Sequence, residues 1–585
     1  MSQSLSKLYV HLIFQNQEEH HKKCHLFFAF AVILLSFSAV AQLPIGEKID
    51  RGVVALLIAE NEVYVGWRFL LTDAPDVAFN VYRRDVGFTG FEKVNDTPVT
   101  NTTDFLDKTV KPGRGYRYQV KKLVNGKEEN CPGEAYVFTL TGNIPYLSVK
   151  LNDNIKAKRI GIGDLDGDGA YDFVIQSPDF NVDPYHQPGY WRRSPETYQL
   201  DAYSSTGKFL WRYDMGWSIE TGTWYSPYMI YDIDRDGKAE IYAKGGEGDP
   251  REMDGHVLDG KEYLLKINGQ TGKILTKTSW LPKDGFDSYN YWSRNFLSVA
   301  YLDGKNPSLI QQRGTYTIIK TLALDKNLQK IWYWESTGKY ANFKGQGQHG
   351  LMSADVDGDG RDELIIGTAA LDEYGIPLWR TGLGHNDAGY IADIDPSRPG
   401  FEIFYGIESR SAKNGVCLVD AKTGEIIWGF NGKTTHVHSQ GMVGDIDPNH
   451  PGMESYAGEA KGGDQYFLYS AQGERLSDKD MSSLTPRPVW WDADDLKEVN
   501  IDDKLFKYKG DTLLKIEGKV MMVADILGDW REEIVTSLPG ELRIYSTNIP
   551  AKNRKLCLMQ NRQYRLGVAG STMGYFYPPQ LGIEK

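Results

Sequence analysis

The chain has 585 residues, 25% charged and 41% hydrophobic, more than one ordinary core holds, so two domains or one large repeat architecture is expected. Its 61 Gly, 35 Tyr and 14 Trp favour turn-rich β-structure over helix bundles. A formal net charge of −12 argues against nucleic-acid binding, and it repels a polyanionic substrate unless bound cations reverse the local sign.

In chain order, His20, His21, Lys22 and Lys23 precede LFFAFAVILLSFSAV, and Ala39-Val40-Ala41 follows before Gln42. A basic region, an apolar run of about 15 residues and an A-x-A site read as a secretory signal over 1–41, with a polar extension ahead of it. A retained signal anchor is the alternative, for which the run is short. No later stretch suits a membrane span, so an exported protein is expected: secreted, periplasmic or at the cell surface. Cleavage after Ala41 leaves Cys131, Cys417 and Cys557, which read as buried thiols and not as a disulfide framework.

Residues 45–140 alternate in short runs: EVYVGWRFLL, AFNVYRRD, TDFLD, YRYQVKKLVNGKE and AYVFTL. Asn125-Gly126 lies between two such runs and signals a hairpin turn. About seven strands in this space predict an immunoglobulin-like sandwich resembling a fibronectin type III module. It carries no catalytic constellation and reads as a spacer or substrate-guiding platform.

Residues 145–585 repeat one unit: GDLDGDGAYDFVIQ, YDIDRDGKAEIYAK, ADVDGDGRDELIIG, ADIDPSRPGFEIFYG, GDIDPNHPGMESYAG and ADILGDWREEIVTS. An apolar lead-in, an Asp-rich turn, an acidic residue and a strand recur, often followed by a strand–Gly turn–strand text such as CLVDAKTGEIIWGF. Four-stranded sheets repeating every 40 to 70 residues or so mark a β-propeller, and about 440 residues at roughly 55 each predict eight blades. The expected fold is all-β: an eight-bladed β-propeller with calcium-binding Asp-rich loops, preceded by the fibronectin type III-like sandwich.

Carboxylates at alternate positions place oxygens on one side of a tight turn, which suits hard Ca²⁺. Three turns follow this spacing: Asp164, Asp166, Asp168 and Asp172; Asp232, Asp234, Asp236 and Glu240; Asp355, Asp357, Asp359 and Glu363. An EF-hand needs Glu at position twelve and a following helix, whereas Ile175, Ala243 and Ile366 stand there inside strand-like runs. Two further turns, Asp393/Asp395/Glu402 and Asp445/Asp447/Glu454, contain Pro and are one residue longer, and Asp525/Asp529/Glu533 has Leu527 where a carboxylate belongs. Such ions are structural, and integrin-type repeats of adhesion proteins carry similar turns. A calcium-dependent glycan-binding or adhesion protein is therefore the competing class.

A second ligand set lies outside these turns: His349, His385, Asp387 and Glu408. Two imidazoles and two carboxylates suit a divalent cation. Each histidine alone reads as a turn residue; it is their bracketing of adjacent repeats that singles them out.

The stretches GQGQHGLMSADVDGDG, LWRTGLGHNDA, AYLDGKNPSL with QRGTY, PVWWDADDLKE, ADILGDWREEIV and YRLGVAGSTMGYFYPPQLG resemble the rhamnogalacturonan lyases of polysaccharide lyase family 11, over nearly the whole mature chain. The resemblance implies bound Ca²⁺, several structural ions and one at the active site. It also implies β-eliminative cleavage of the backbone of pectic rhamnogalacturonan-I, an acidic plant polysaccharide; a monomer is expected. It places the pocket cation on His349, His385, Asp387 and Glu408, a pocket tyrosine at Tyr575 and a pocket lysine at Lys519. Three departures bear on sugar reading. HVHSQGMVGDID puts Gln440 where the family has an arginine and adds His436 and His438; residues around Lys158 replace an Asn-Asp pair; and SPDFN leaves Asp179 as a shifted acid. Gln440, His436, Asp179 and Lys158 are thus the candidate substrate-binding residues, and a changed subsite preference, exo instead of endo action, or lost activity follows from them. Elimination needs charge on the substrate carboxylate, a base for the C5 proton and a donor for the departing O4. Lys519 is the expected base with His438 in reserve, and Tyr575 the expected donor. A lyase acting on another uronate polysaccharide is the further alternative.

Overall fold

The computed structural model describes residues 47–137, 146–180, 182–185, 187, 189–459, 465–476, 481 and 485–582. The signal segment read from 1–41 lies outside them. Residues 46–585 form one compact unit, and no helix among the described residues is long and apolar enough to cross a membrane.

Alternation drives the first two sheets. Val54–Ala59, Glu62–Gly66 and Asp104–Asp107 form one; Glu92–Lys93, Ala78–Asp85, Tyr116–Val124 and Lys127–Asn130 form the other, with Ala135–Val137 added against Tyr116–Val124. Every second side chain points inward, so Val63 and Val65, Phe79 and Val81, and Tyr118 and Val120 meet around Trp67 in a shared core. Asn125 and Gly126, at φ of 50° and 75°, make the turn that pairs Val124 with Lys127.

Beyond residue 146 the chain folds into mostly antiparallel sheets, most of them built from strands consecutive in sequence. The eight-bladed propeller expectation is corrected by the sheet order. Among the described residues this region gives seven sheets: five of four strands, one of three and one of eight. The eight-stranded sheet arises because Gly347–Ala354 and Asn386–Ala392 bridge in parallel at Gln348 and Asn386, fusing two neighbouring units. The three-stranded one is Met442–Gly444, Glu454–Gly458 and Tyr466–Tyr469. The all-β class stands, with one short helix at Tyr289–Trp292 and a longer one at Arg562–Gly570.

A repeated tryptophan lock ties neighbouring sheets. The indole N–H of Trp211, Trp332, Trp379 and Trp428 donates to Gly269, Glu373, Ala421 and Ala471 oxygens at 2.7, 2.9, 3.0 and 2.8 Å. Each ring also covers a turn glycine of the next unit. A Cβ on Gly424 would stand 2.6 Å from the Trp379 ring, which is why the strand–Gly turn–strand text recurs. The sheet of Lys519–Ala524, Glu533–Leu538 and Glu541–Tyr545 takes Tyr146–Lys150 as its fourth strand, so distant parts of the sequence are hydrogen-bonded.

The sandwich is joined to the rest through buried charge. The Arg68 guanidinium pairs with Asp50 at 2.8 Å and donates to the Ile526 carbonyl. Arg531, 1% exposed, pairs with Asp529 at 2.6 Å and donates to the Tyr64 hydroxyl at 2.7 Å. In the turn where Leu527 stands for a carboxylate, an arginine thus supplies the positive charge. Arg531→Met leaves Asp529 buried and unpaired, and a loss of about 3–5 kcal/mol is expected. A urea denaturation midpoint unchanged from the parent would count against this pairing.

Candidate active site

The parallel bridge that fuses two sheets also builds the site. With Gln348 opposite Asn386, the next residues along, His349 and Asp387, become neighbours. The Nε2 of His349 lies 3.5 Å and the Nε2 of His385 3.2 Å from the same oxygen, Asp387 Oδ1. Glu408, just past the strand Glu402–Ile407, sets its carboxylate 3.6 Å from His385 Nε2. The loop before Met442–Gly444 adds His438, whose Nδ1 meets Asp387 Oδ2, and His436, 3.9 Å from Glu408. His349, His385 and His438 therefore converge on Asp387, which is fully buried, and Glu408 joins through the histidines; His349 and His385 are 2% and 5% exposed.

Burial opposes ionisation of Asp387, but hydrogen bonds from His385 and His438 hold its carboxyl well below the usual carboxylate range. Burial, reinforced by His385, pushes the His349 imidazole far down, so it is neutral and a possible ligand. His385 Nδ1 meets the Gly347 carbonyl at 2.6 Å, which fixes the ring and turns Nε2 to the cluster. His349 Nδ1 is buried without a hydrogen-bond partner. Donor atoms of His349, His385 and Asp387 all lie within 4.8 Å of one another, and so do those of Glu408, His436 and His438. Two neutral-capable imidazoles around a buried carboxylate fit a divalent cation.

Tyr575 caps the cluster. Its ring lies 4.7 Å from that of His349 and 6.3 Å from that of His438, and its N–H donates to the His349 carbonyl at 3.0 Å. Gly574, at φ +57°, makes this approach possible, because a Cβ there would stand 2.0 Å from the same carbonyl oxygen. Two residues on, the Tyr577 hydroxyl donates to the Asp387 carbonyl at 2.6 Å. Burial, then Asp387, raises the Tyr575 phenol well above its ordinary value and keeps it protonated.

Lys158, Asp179 and Lys519 form a second group. Asp179 lies 2.9 Å from the Lys519 amine and 3.8 Å from that of Lys158. Burial, then Arg159 and Lys519, pushes Lys158 down to about 7. Arg159 donates to the Gly574 carbonyl at 2.7 Å, which ties this group to the segment carrying Tyr575. Gln440 is half-buried in the loop that carries His436 and His438.

Sequence reading missed the aromatic floor. The Tyr316 hydroxyl meets His349 Nε2 at 2.9 Å, and the Trp224 ring lies 4.5 Å from that of His349. The Arg294 guanidinium stacks 4.7 Å over Trp224 and reaches Asp183 at 2.8 Å. Tyr316 was visible within QRGTY; Trp224 and Arg294 had no spacing to mark them.

The acidic turns divide by how they balance charge. Asp164, Asp166 and Asp172 cluster, as do Asp355, Asp357 and Asp359, with Asp168 exposed at the first turn. Burial pushes Asp172 up to about 7 and Glu363 up to about 8, with neighbouring aspartates adding to both, which a cation would relieve. Asp232, Asp234 and Glu240 also cluster, with Asp236 exposed, but there the Lys266 amine sits 2.8 Å from Asp234 and 2.9 Å from Glu240. In the Pro-containing turns the late acid closes the loop on backbone N–H groups. Glu402 accepts from Ile394 and Asp395, and Glu454 from Ile446 and Asp447, each at 3.0 or 3.1 Å. Asp393 is pushed up by burial and by Asp395, and Asp445 up to about 6 by burial first.

Residues 151–583 match the family described as rhamnogalacturonan lyase family 11, C-terminal domain, and residues 45–138 match the rhamnogalacturonan I lyases β-sheet domain. The chain is 37% identical to the rhamnogalacturonan endolyase YesW of Bacillus subtilis (strain 168), over 92% of this chain and 90% of that one. It is 34% identical to the rhamnogalacturonan exolyase YesX of the same organism, over 92% and 95%. The crystal structure of YesW superposes with a TM-score of 0.82 at 36% identity, covering 92% of this chain and 96% of that one. A Bacillus licheniformis family 11 rhamnogalacturonan lyase superposes with a TM-score of 0.83 at 35% identity, covering 93% and 97%.

Proposed function

The chain belongs to rhamnogalacturonan lyase family 11, and from that premise we propose how its residues cleave the rhamnose–galacturonate backbone of rhamnogalacturonan-I by β-elimination. The observation that carries the reading is the cluster in which His349 and His385 meet Asp387 Oδ1 and Glu408 lies 3.6 Å from His385, with a protonated Tyr575 set edge-on against His349. A divalent cation, Ca²⁺ in our reading, held by these four when bound, supplies positive charge to the substrate carboxylate. The residues themselves do the proton work. Lys519 takes the C5 proton, the C5–H electron pair becomes the C4=C5 bond, the C4–O4 bond breaks, and Tyr575 gives O4 its proton. His438 is the second reading for the base, favoured by its hold on Asp387, which orients an imidazole as a general base requires. Asp179, Lys158, His436 and Gln440 line the sugar-reading surface, and Ca²⁺ at the acidic turns is structural. Export of a monomer that meets the polysaccharide outside the cell completes the proposal.

Incubation with rhamnogalacturonan-I, with and without chelator, tests it. Oligosaccharides absorbing in the ultraviolet through a 4,5-unsaturated uronate are expected, and fewer of them under chelation. Cleavage without that absorbance means a hydrolase, and retention without cleavage means a glycan-binding protein. Lys158 adds a pH signature: charged below about 7 and neutral above it, the amine holds a substrate carboxylate only on the acid side. KM is therefore expected to rise about tenfold between about pH 6 and pH 8, and the rise to disappear in Lys158→Arg. A KM flat across that range rejects Lys158 as a carboxylate reader.

A further inference from the structure

A second recess lies beside the loops that approach the pocket. It is shallow, with a cavity of only about 20 Å³ that opens to the surface, and is lined by Trp191, Arg192, Arg193, Trp217, Glu220 and Arg251, among others. Its walls are built in layers. The Trp191 ring stacks on His256 at 3.6 Å and 14°, and His256 is held by Asp254 at 2.9 Å. The Arg251 guanidinium lies 3.9 Å over Trp217 and is fixed by two bonds to Asp249, at 2.6 and 2.5 Å. Glu220, in the recess, accepts from the Val257 N–H at 2.7 Å and the Tyr289 hydroxyl at 2.5 Å.

Arg192 and Arg193 are exposed, and among the described residues neither has a carboxylate within 4 Å. Arg192 instead rests 5.0 Å over the Phe180 ring. Two exposed arginines with no carboxylate in ion-pair contact among the described residues, beside partly exposed indoles and an accepting carboxylate, match one ligand chemistry. Arginine forks a planar carboxylate, an indole covers the apolar face of a sugar ring, and a carboxylate accepts from hydroxyls.

The chain segments that line the recess also reach the pocket. Four residues beyond Glu220 stands Trp224, whose ring is 4.5 Å from that of His349. Arg294, stacked on Trp224, holds Asp183, the neighbour of the recess residue Val182. A polymer lying in the pocket has an acidic sugar at every second unit, so a further uronate arrives along the same surface.

Resting on the lyase reading above, we propose that this recess is a distal subsite that binds a second galacturonate of the polymer through Arg192 and Arg193, with Trp191 or Trp217 beneath the sugar ring. It sets affinity for long chains and takes no part in bond cleavage. Arg192→Ala/Arg193→Ala and, separately, Trp217→Ala test it, with KM measured on the rhamnogalacturonan-I polymer and on an oligosaccharide of four sugars. KM for the polymer is expected to rise about tenfold, with kcat and the short-substrate KM unchanged. Binding without cleavage is read by affinity electrophoresis in gels containing the polymer, on an Asp387→Asn background, where the arginine variant should lose its retardation. Unchanged retardation and an unchanged ratio of the two KM values overturn the subsite. If the parent is retarded but cuts neither substrate, the lyase reading fails, and lost retardation in the variant still supports the recess as a carbohydrate site.

Discussion

Asp387→Asn is expected to lower kcat/KM by about a thousandfold. Asp387 is fully buried, and its two oxygens are the points on which His349, His385 and His438 converge. The amide has nearly the same shape but only one accepting atom. Its NH₂ must face an imidazole N–H or replace a ligand oxygen, and the local charge changes by one in a buried place where screening is weak. Loss of a satisfied buried bond costs about 1–3 kcal/mol, which a domain of this size survives. The thousandfold should therefore appear in kcat while urea denaturation still shows one cooperative transition. Direct metal analysis should show the pocket ion lost with it. A variant within threefold of the parent on rhamnogalacturonan-I would remove the cluster from the reaction.

Tyr575→Phe is expected to cost between about 10²- and 10⁴-fold in kcat. The phenol stays protonated because burial and Asp387 both resist its ionisation, so it has a proton to give when the glycosidic oxygen leaves. Phenylalanine keeps the ring contacts with His349 and Trp224, and a stability change under about 1 kcal/mol is expected. The deficit should shrink on substrates with a more acidic leaving group, which need less help. A deficit independent of the leaving group would reduce Tyr575 to a packing residue.

Much of this was legible in the residue order, for identifiable reasons. Alternation and the Asn125-Gly126 turn announced strands because their signals are local. The Asp-rich turns were visible for the same reason, yet their counter-charges were not. Lys266 comes from a strand two further along, and Arg531 reads as an ordinary charge until its burial is seen. Counting repeats predicted about eight blades, but a sheet ends where hydrogen bonding ends. The single parallel bridge at Gln348 and Asn386 leaves no trace in periodicity. That bridge is also why His349 and Asp387, far apart in sequence, are neighbours. Trp224 and Arg294 escaped because aromatic and basic residues are common throughout the chain, and only the third dimension separates these two from the others.

The pairing of Tyr146–Lys150 with Glu541–Tyr545 has a temporal consequence. During synthesis, the strand made early waits, edge open, for a partner nearly 400 residues later, and contacts of such long separation form slowly. The segment that follows that partner bears Tyr575. A chain that ends before Glu541 thus leaves Tyr146–Lys150 without its partner strand and lacks Tyr575 as well.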